Sequence, residues 1–228
     1  MDIFEQNLAL LEEARVEQIP LARLLSRNGN VYSLKSMYFC WLLREAILWR
    51  VHELLSRSWA LHTQGHVLAA RILLRTALET VASLVHHNRA IKNVLNGSLT
   101  FPEFEVLTKA KLFGSKNAAT PLTSTNIMTV FKSCEKSYPG LTGIYENLSE
   151  CAHPSFEGLY RGYLNFDEEA HDTACGSRWS ELYPREDTVG FDMCLLLFHY
   201  EYNEVWAEMM ESLEGWVDAH FESLNSNL

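Results

Sequence analysis

Residues 66–97 read HVLAARILLRTALETVASLVHHNRAIKNVLNG, and the fold turns on them. Apolar residues fall around most of a helical circumference, and Asn96-Gly97 supplies the glycine that commonly ends a helix. One long helix over 66–96 is the expectation. Working back toward the N-terminus, Gln64-Gly65 marks a corner. A second long helix is expected to reach Thr63 from an N-cap at Ser33 or, alternatively, Ser36. It too is apolar on most sides, as befits the central pair of a bundle. Toward the C-terminus, residues 186–224 predict a third long helix. Its apolar seam, Phe191, Leu195, Phe198, Tyr202, Val205 and Met209, steps by four and three and can pack within the chain or against a second copy. Helices of roughly 30 residues span about 45 Å. The fold class is therefore all-α, an elongated helical bundle built on three long helices.

The flanking segments are shorter. Residues 2–27 show helical periodicity through Phe4, Leu8, Leu11 and Ala14, interrupted at Pro20, and Asn28-Gly29-Asn30 signals a turn. Phe101-Pro102 opens a helix to Phe113, 114–123 reads as a loop, and 125–137 and 141–152 read as two more helices, the latter stopped by Pro154. No helical period is visible over 156–184, where Leu159 to Phe166 is expected to supply one strand of a small hairpin in an otherwise irregular insert. Without an internal repeat or composition shift, residues 1–228 are read as a single helical domain.

Hydrophobic residues make up 47% of the chain and charged residues 21%, which suits a packed core rather than disorder. The five cysteines (Cys40, Cys134, Cys151, Cys175, Cys194) are scattered and form no C-x-x-C pair, so they read as free thiols in a reducing compartment. The N-terminus lacks a basic stretch followed by an apolar run, and a cytoplasmic location is expected. The most apolar stretch, 36–55, is broken by Arg44, Glu45, Arg50, His52 and Glu53, so no membrane span is expected. Ten of the 29 acidic residues lie from Glu186 onward with no Lys or Arg among them, so the formal charge of −10 sits on the last helix. That helix cannot neutralise phosphates. DNA binding is not expected, RNA would have to meet the neutral remainder, and the acidic surface suits a basic protein partner.

Two polar constellations stand out. Arg71, Arg75 and Glu79 are spaced by four and stack on one face of an otherwise apolar helix. They are either an internal Arg–Glu pair tying two helices together or an anion-binding or catalytic face, with the planar fork of Arg75 oriented by Glu79. Tyr145, Ser149 and His153 are likewise spaced by four, presenting a phenol, a hydroxyl and an imidazole at a helix C-terminus just before Pro154 and Ser155. A His there is favoured in its protonated form and is credible acid–base equipment; the plainer reading is a helix-terminal His bonded to the last carbonyls. His86-His87 reads as a solvated terminus of the second long helix. Cys151-x-His153 with His171-x-x-x-Cys175 is not a usual zinc spacing, and no metal is assigned. With no Gly-rich phosphate loop, nucleophile elbow or H-E-x-x-H, no cofactor is implied.

The run Arg71-x-x-x-Arg75-x-x-x-Glu79, with Tyr145-x-x-Leu-Ser149-x-x-x-His153-Pro154-Ser155 downstream, resembles a broad group of uncharacterised bacterial helical proteins over roughly residues 60–160. More distantly the chain resembles the HEPN superfamily of nucleotide-binding helical bundles. That resemblance implies a homodimer and a role in bacterial defence, since many HEPN members are metal-independent ribonucleases of toxin–antitoxin and phage-defence systems. Their hallmark is an Arg, a polar residue and, a few residues on, a His. Arg57-Ser-Trp-Ala-Leu-His62 has that spacing early in the chain, with Ser58 at the polar position. Leu148-Ser149-Glu-Cys-Ala-His153 sits in the more fitting place but has Leu148 where the Arg should be. Two functions follow from the resemblance. One is a non-catalytic module whose polar face (Arg71, Tyr145, Ser149, Ser155) binds a small anion, a nucleotide or a protein partner. The other is a metal-independent endoribonuclease, with His153 as general acid or base, Arg75 stabilising the phosphorane and Glu79 orienting the Arg.

Overall fold

The computed structural model describes residues 3–225. In chain order its α-helices are α1 (Ile3–Glu13), α2 (Leu21–Arg27), α3 (Gly29–Ser33), α4 (Lys35–Thr63), α5 (Val67–Leu95), α6 (Phe101–Phe113), α7 (Ile127–Cys134), α8 (Leu141–Ala152), α9 (Trp179–Leu182), α10 (Val189–Tyr200) and α11 (Trp206–Asn225). One π-helical segment, Phe156–Arg161, follows α8, and another, Glu201–Val205, joins α10 to α11. A two-stranded hairpin pairs β1 (Leu164–Asp167) with β2 (Asp172–Cys175), Leu164 lying opposite Cys175 and Asp167 opposite Asp172. The all-α class holds. Among the described residues, no helix is long and apolar enough to cross a membrane.

α4 and α5 are the central pair. The chain reverses between them through Gly65, whose φ of +81° is left-handed and strains any residue with a Cβ. The Ser58 hydroxyl ties the pair by donating to the Ala70 carbonyl at 2.6 Å. Cys40, Leu48, Val51 and Leu55 of α4 and Leu78, Val81, Ala82 and Ile91 of α5 are fully buried. α6, α7, α8, α10 and α11 wrap α5, which therefore buries more than one face, as its pattern implied. Gly97 ends α5 with φ +75°, and Thr100 opens α6 with a reciprocal capping box to Glu103.

Five details differ from the sequence expectation. α4 starts at Lys35 after an extended Leu34, so neither Ser33 nor Ser36 caps it. Ser33 bonds back to the Asn30 carbonyl at 2.7 Å, and Ser36 is buried with its hydroxyl unpartnered. Asn28 is itself an N-cap, its side chain accepting from the Val31 N–H to open α3, so Asn28-Gly29-Asn30 starts a helix instead of making a simple turn. The first hairpin strand begins at Leu164, not Leu159, because 156–161 winds into the π segment packed under the end of α8. The approach is close enough at Gly158 that a Cβ would lie 1.9 Å from the His153 carbonyl oxygen.

The other two concern packing. His86-His87 is no solvated terminus: α5 continues to Leu95, and His87 is fully buried with its ring stacked on Phe104. Burial, reinforced by nearby Lys111, pushes the pKa of His86 down to about 4 and that of His87 to about 3, so both are neutral at pH 7. In the third long helix the seam holds through Phe191, Leu195, Phe198 and Tyr202, then shifts by one residue. Trp206, Met210, Leu213 and Val217 are buried in place of Val205 and Met209, because the π turn inserts an extra residue between the two α-helical stretches.

Candidate functional site

α8 lies along α5 and meets two of its arginines, Arg71 and Arg75, with two side-chain pairs. Tyr145 and Ser149, four apart and so on one face, take Arg75: its Nε donates to Ser149 Oγ at 2.8 Å and its Nη2 to Tyr145 Oη at 2.8 Å. Glu79 Oε1 completes the group, 3.1 Å from Arg75 Nη2 and accepting from the Tyr145 hydroxyl at 3.0 Å. Ser149 in turn donates to the Tyr145 carbonyl at 2.8 Å. Arg75 and Glu79 are each about a quarter exposed. This is a satisfied inter-helix network, the internal Arg–Glu pair with Tyr145 and Ser149 drawn into it.

Asn147 and Cys151, also four apart, take Arg71. Its Nη2 donates to Asn147 Oδ1 at 2.7 Å and its Nε to Cys151 Sγ at 3.2 Å, while the guanidinium lies 3.6 Å over the centre of the Tyr183 ring. Arg71 is only 9% exposed, yet no carboxylate lies within ion-pair distance of it among the described residues. Burial pushes the Tyr183 phenol up, with the charge of Arg71 acting against that rise. Arg71 borders a cleft of about 380 Å³ walled by α5, α8 and α10. Apolar Val67, Leu74, Ile144, Leu148 and Phe191 line much of it; His62, Asn147, Tyr183 and Asp187 add polar edges.

The remaining candidates do not join either group. His153 has left helical geometry (φ −96°, ψ 151°), so it does not continue the Tyr145–Ser149 row; it is exposed and bonds to none of Arg75, Glu79, Tyr145 or Ser149. Ser155 caps the end of α8 by donating to the Glu150 carbonyl at 3.0 Å. In the other Arg-x4-His match, Arg57 is exposed whereas His62 is buried, its Nε2 3.1 Å from the Arg185 carbonyl and its ring against Phe191. Five residues on a helix separate side chains by about 140°, which is why the two point apart. Among the described residues no three His, Cys, Asp or Glu side chains are grouped to hold a metal ion.

Asn147, Tyr183 and Asp187 were not singled out from sequence. Asn147 lies 76 residues from Arg71 and carries no motif of its own. Its position two residues from each of Tyr145 and Ser149 gave no sign that a second arginine would use it. Comparison of the chain with protein-family models, curated proteins and solved structures finds no match.

Proposed function

We propose that this chain is a non-catalytic, HEPN-like helical module that binds a small organic anion of nucleotide or aromatic-carboxylate type in the α5–α8–α10 cleft. One observation carries the reading: Arg71 is buried, borders the cleft, and among the described residues bonds to neutral groups only. A buried guanidinium without a counter-ion is unfavourable and favours an anion that completes its fork. The largely apolar walls suit a ligand with an apolar or aromatic body, and the volume falls in the range of small-molecule sites.

Calorimetric titration with nucleoside monophosphates and aromatic carboxylates tests this. Wild type is expected to bind at least one of them, with Arg71→Gln at least tenfold weaker and Asn147→Ala intermediate, about 1.4 kcal/mol corresponding to tenfold. Equal affinity in Arg71→Gln with the fold intact by circular dichroism, or no binding of any probe by wild type, ends the proposal.

The enzymatic alternative draws on a different observation. His153 is exposed, and beyond it Phe156 and Tyr160, stacked at 5.3 Å, face solvent as a surface on which bases could stack. Against it, the fork of Arg75 is engaged by Ser149, Tyr145 and Glu79. Ribonuclease activity in the purified protein that disappears in His153→Ala would favour this reading over the non-catalytic one. A second copy or a basic protein partner has its own support in the acidic last helix and in the exposed Val189, Leu196 and Tyr200 of α10.

A further inference from the structure

A second cleft, of about 370 Å³, opens between α4, α5, α6 and the start of α7 and shares no lining residue with the first. Its polar lining is Arg50, Glu79, Thr80, Ser83, Lys111, Ser124 and Thr125. Two of these are cations, and among the described residues neither meets a carboxylate. Arg50 Nε donates to Thr80 Oγ1 at 3.2 Å, and Lys111 Nζ donates to the Ser83 carbonyl at 3.3 Å. The only carboxylate in the lining, Glu79, is already bonded to Arg75 and Tyr145. An ammonium has three donors, and that of Lys111 uses one of them. The Ser124 hydroxyl is buried and has no partner among the described residues.

A half-buried cation, a surface guanidinium and an idle hydroxyl around one small cleft form a donor set without its acceptor. We propose that this cleft binds a tetrahedral oxyanion, the phosphoryl group of a small phosphomonoester, through Lys111 and Arg50, with Ser124 as a third donor. Separately placed donors of this kind match oxygens spread over a tetrahedron, whereas a planar carboxylate is best met by a single guanidinium fork. The site also explains why a lysine is kept where burial lowers its pKa to about 8: the ligand supplies the charge that the protein does not. The titratable neighbours of the amine are His86 and His87 on α5, both neutral at pH 7, and Cys134 on α7, whose thiol burial pushes up to about 12. Arg50 and Glu79 face the cleft from α4 and α5.

The test uses the full chain in oxyanion-free buffer, with inorganic phosphate and ribose 5-phosphate as probes and malonate as a planar dianion. Wild type is expected to show a phosphate-dependent rise in Tm that malonate does not produce. Lys111→Met, which removes a half-buried charge, is expected to melt no lower than wild type without phosphate and to bind at least tenfold more weakly. Arg71→Gln should leave the response intact, which separates this site from the first cleft. In wild type the response should weaken as pH rises through about 8 and Lys111 loses its proton. A wild-type protein indifferent to phosphate, or an undiminished response in Lys111→Met, overturns the proposal. Should Lys111→Met not fold, the exposed Arg50→Gln decides in its place, and an undiminished response there overturns it equally.

Discussion

Arg44→Met is expected to lower the stability of the fold by about 3–5 kcal/mol, the loss typical of breaking a buried ion pair from one side. Arg44 pairs with Glu45, donates Nη2 to the Tyr202 carbonyl at 3.3 Å, and lies 3.5 Å over the Tyr202 ring and 4.4 Å over that of Trp206. The Glu45 side chain is 6% exposed, and its other bonds come from the Tyr202 hydroxyl, at 3.0 and 3.1 Å. Methionine keeps much of the packing against the two rings, so the effect isolates the charge. Urea unfolding measures it, and adding Glu45→Gln should recover part of the loss by removing the stranded carboxylate. An Arg44→Met protein within about 1 kcal/mol of wild type, the range of a surface pair, would falsify the view that this pair anchors the junction of α10 and α11 on α4.

A comparable loss, about 3–5 kcal/mol, is expected for Phe131→Ala. Phe131 is fully buried in α7, and its ring stacks on Tyr145 at 4.1 Å. Removing it opens a cavity between α5, α7 and α8 and takes away the surface that sets the Tyr145 ring angle. The phenol then loses its fixed aim at Arg75 and Glu79. Phe131→Leu should be clearly milder, because it refills part of the volume. If the alanine variant loses under 1 kcal/mol in the same urea experiment, α7 is not holding α8 in place.

The long elements were legible because their signals are local. Apolar residues around most of two helices, the glycines at 65 and 97, and the Phe101-Pro102 start place α4, α5 and α6 with nothing from elsewhere in the chain. The site was legible only by halves. Spacing by four put Arg71, Arg75 and Glu79 on one face and Tyr145 with Ser149 on another, and those faces do meet. The end of that helix at 152 was legible from Pro154, but spacing by four still counted His153 into the row, and its extended backbone takes the imidazole out of it. Nor could spacing show that Asn147, Cys151 and Tyr183 collect around Arg71, since those partners come from segments 76 to 112 positions away. Lys111 escaped notice for the same reason: only the packing of α6 on α5 turns an ordinary lysine into a half-buried one beside an unpartnered serine.

The π turn at Glu201–Val205 means that the number of residues between Tyr202 and Trp206 is information in its own right. Asn203 is exposed, so most substitutions there should pass unnoticed. Deleting it would remove the extra residue, so the turn could close as regular α-helix with Trp206, Met210, Leu213 and Val217 still facing the core. Adding a residue is another matter: a regular α-helix advances about 100° per residue, so all four would turn away together. A genetic screen of this stretch should therefore accept many spellings and a length one shorter, and reject a length one longer.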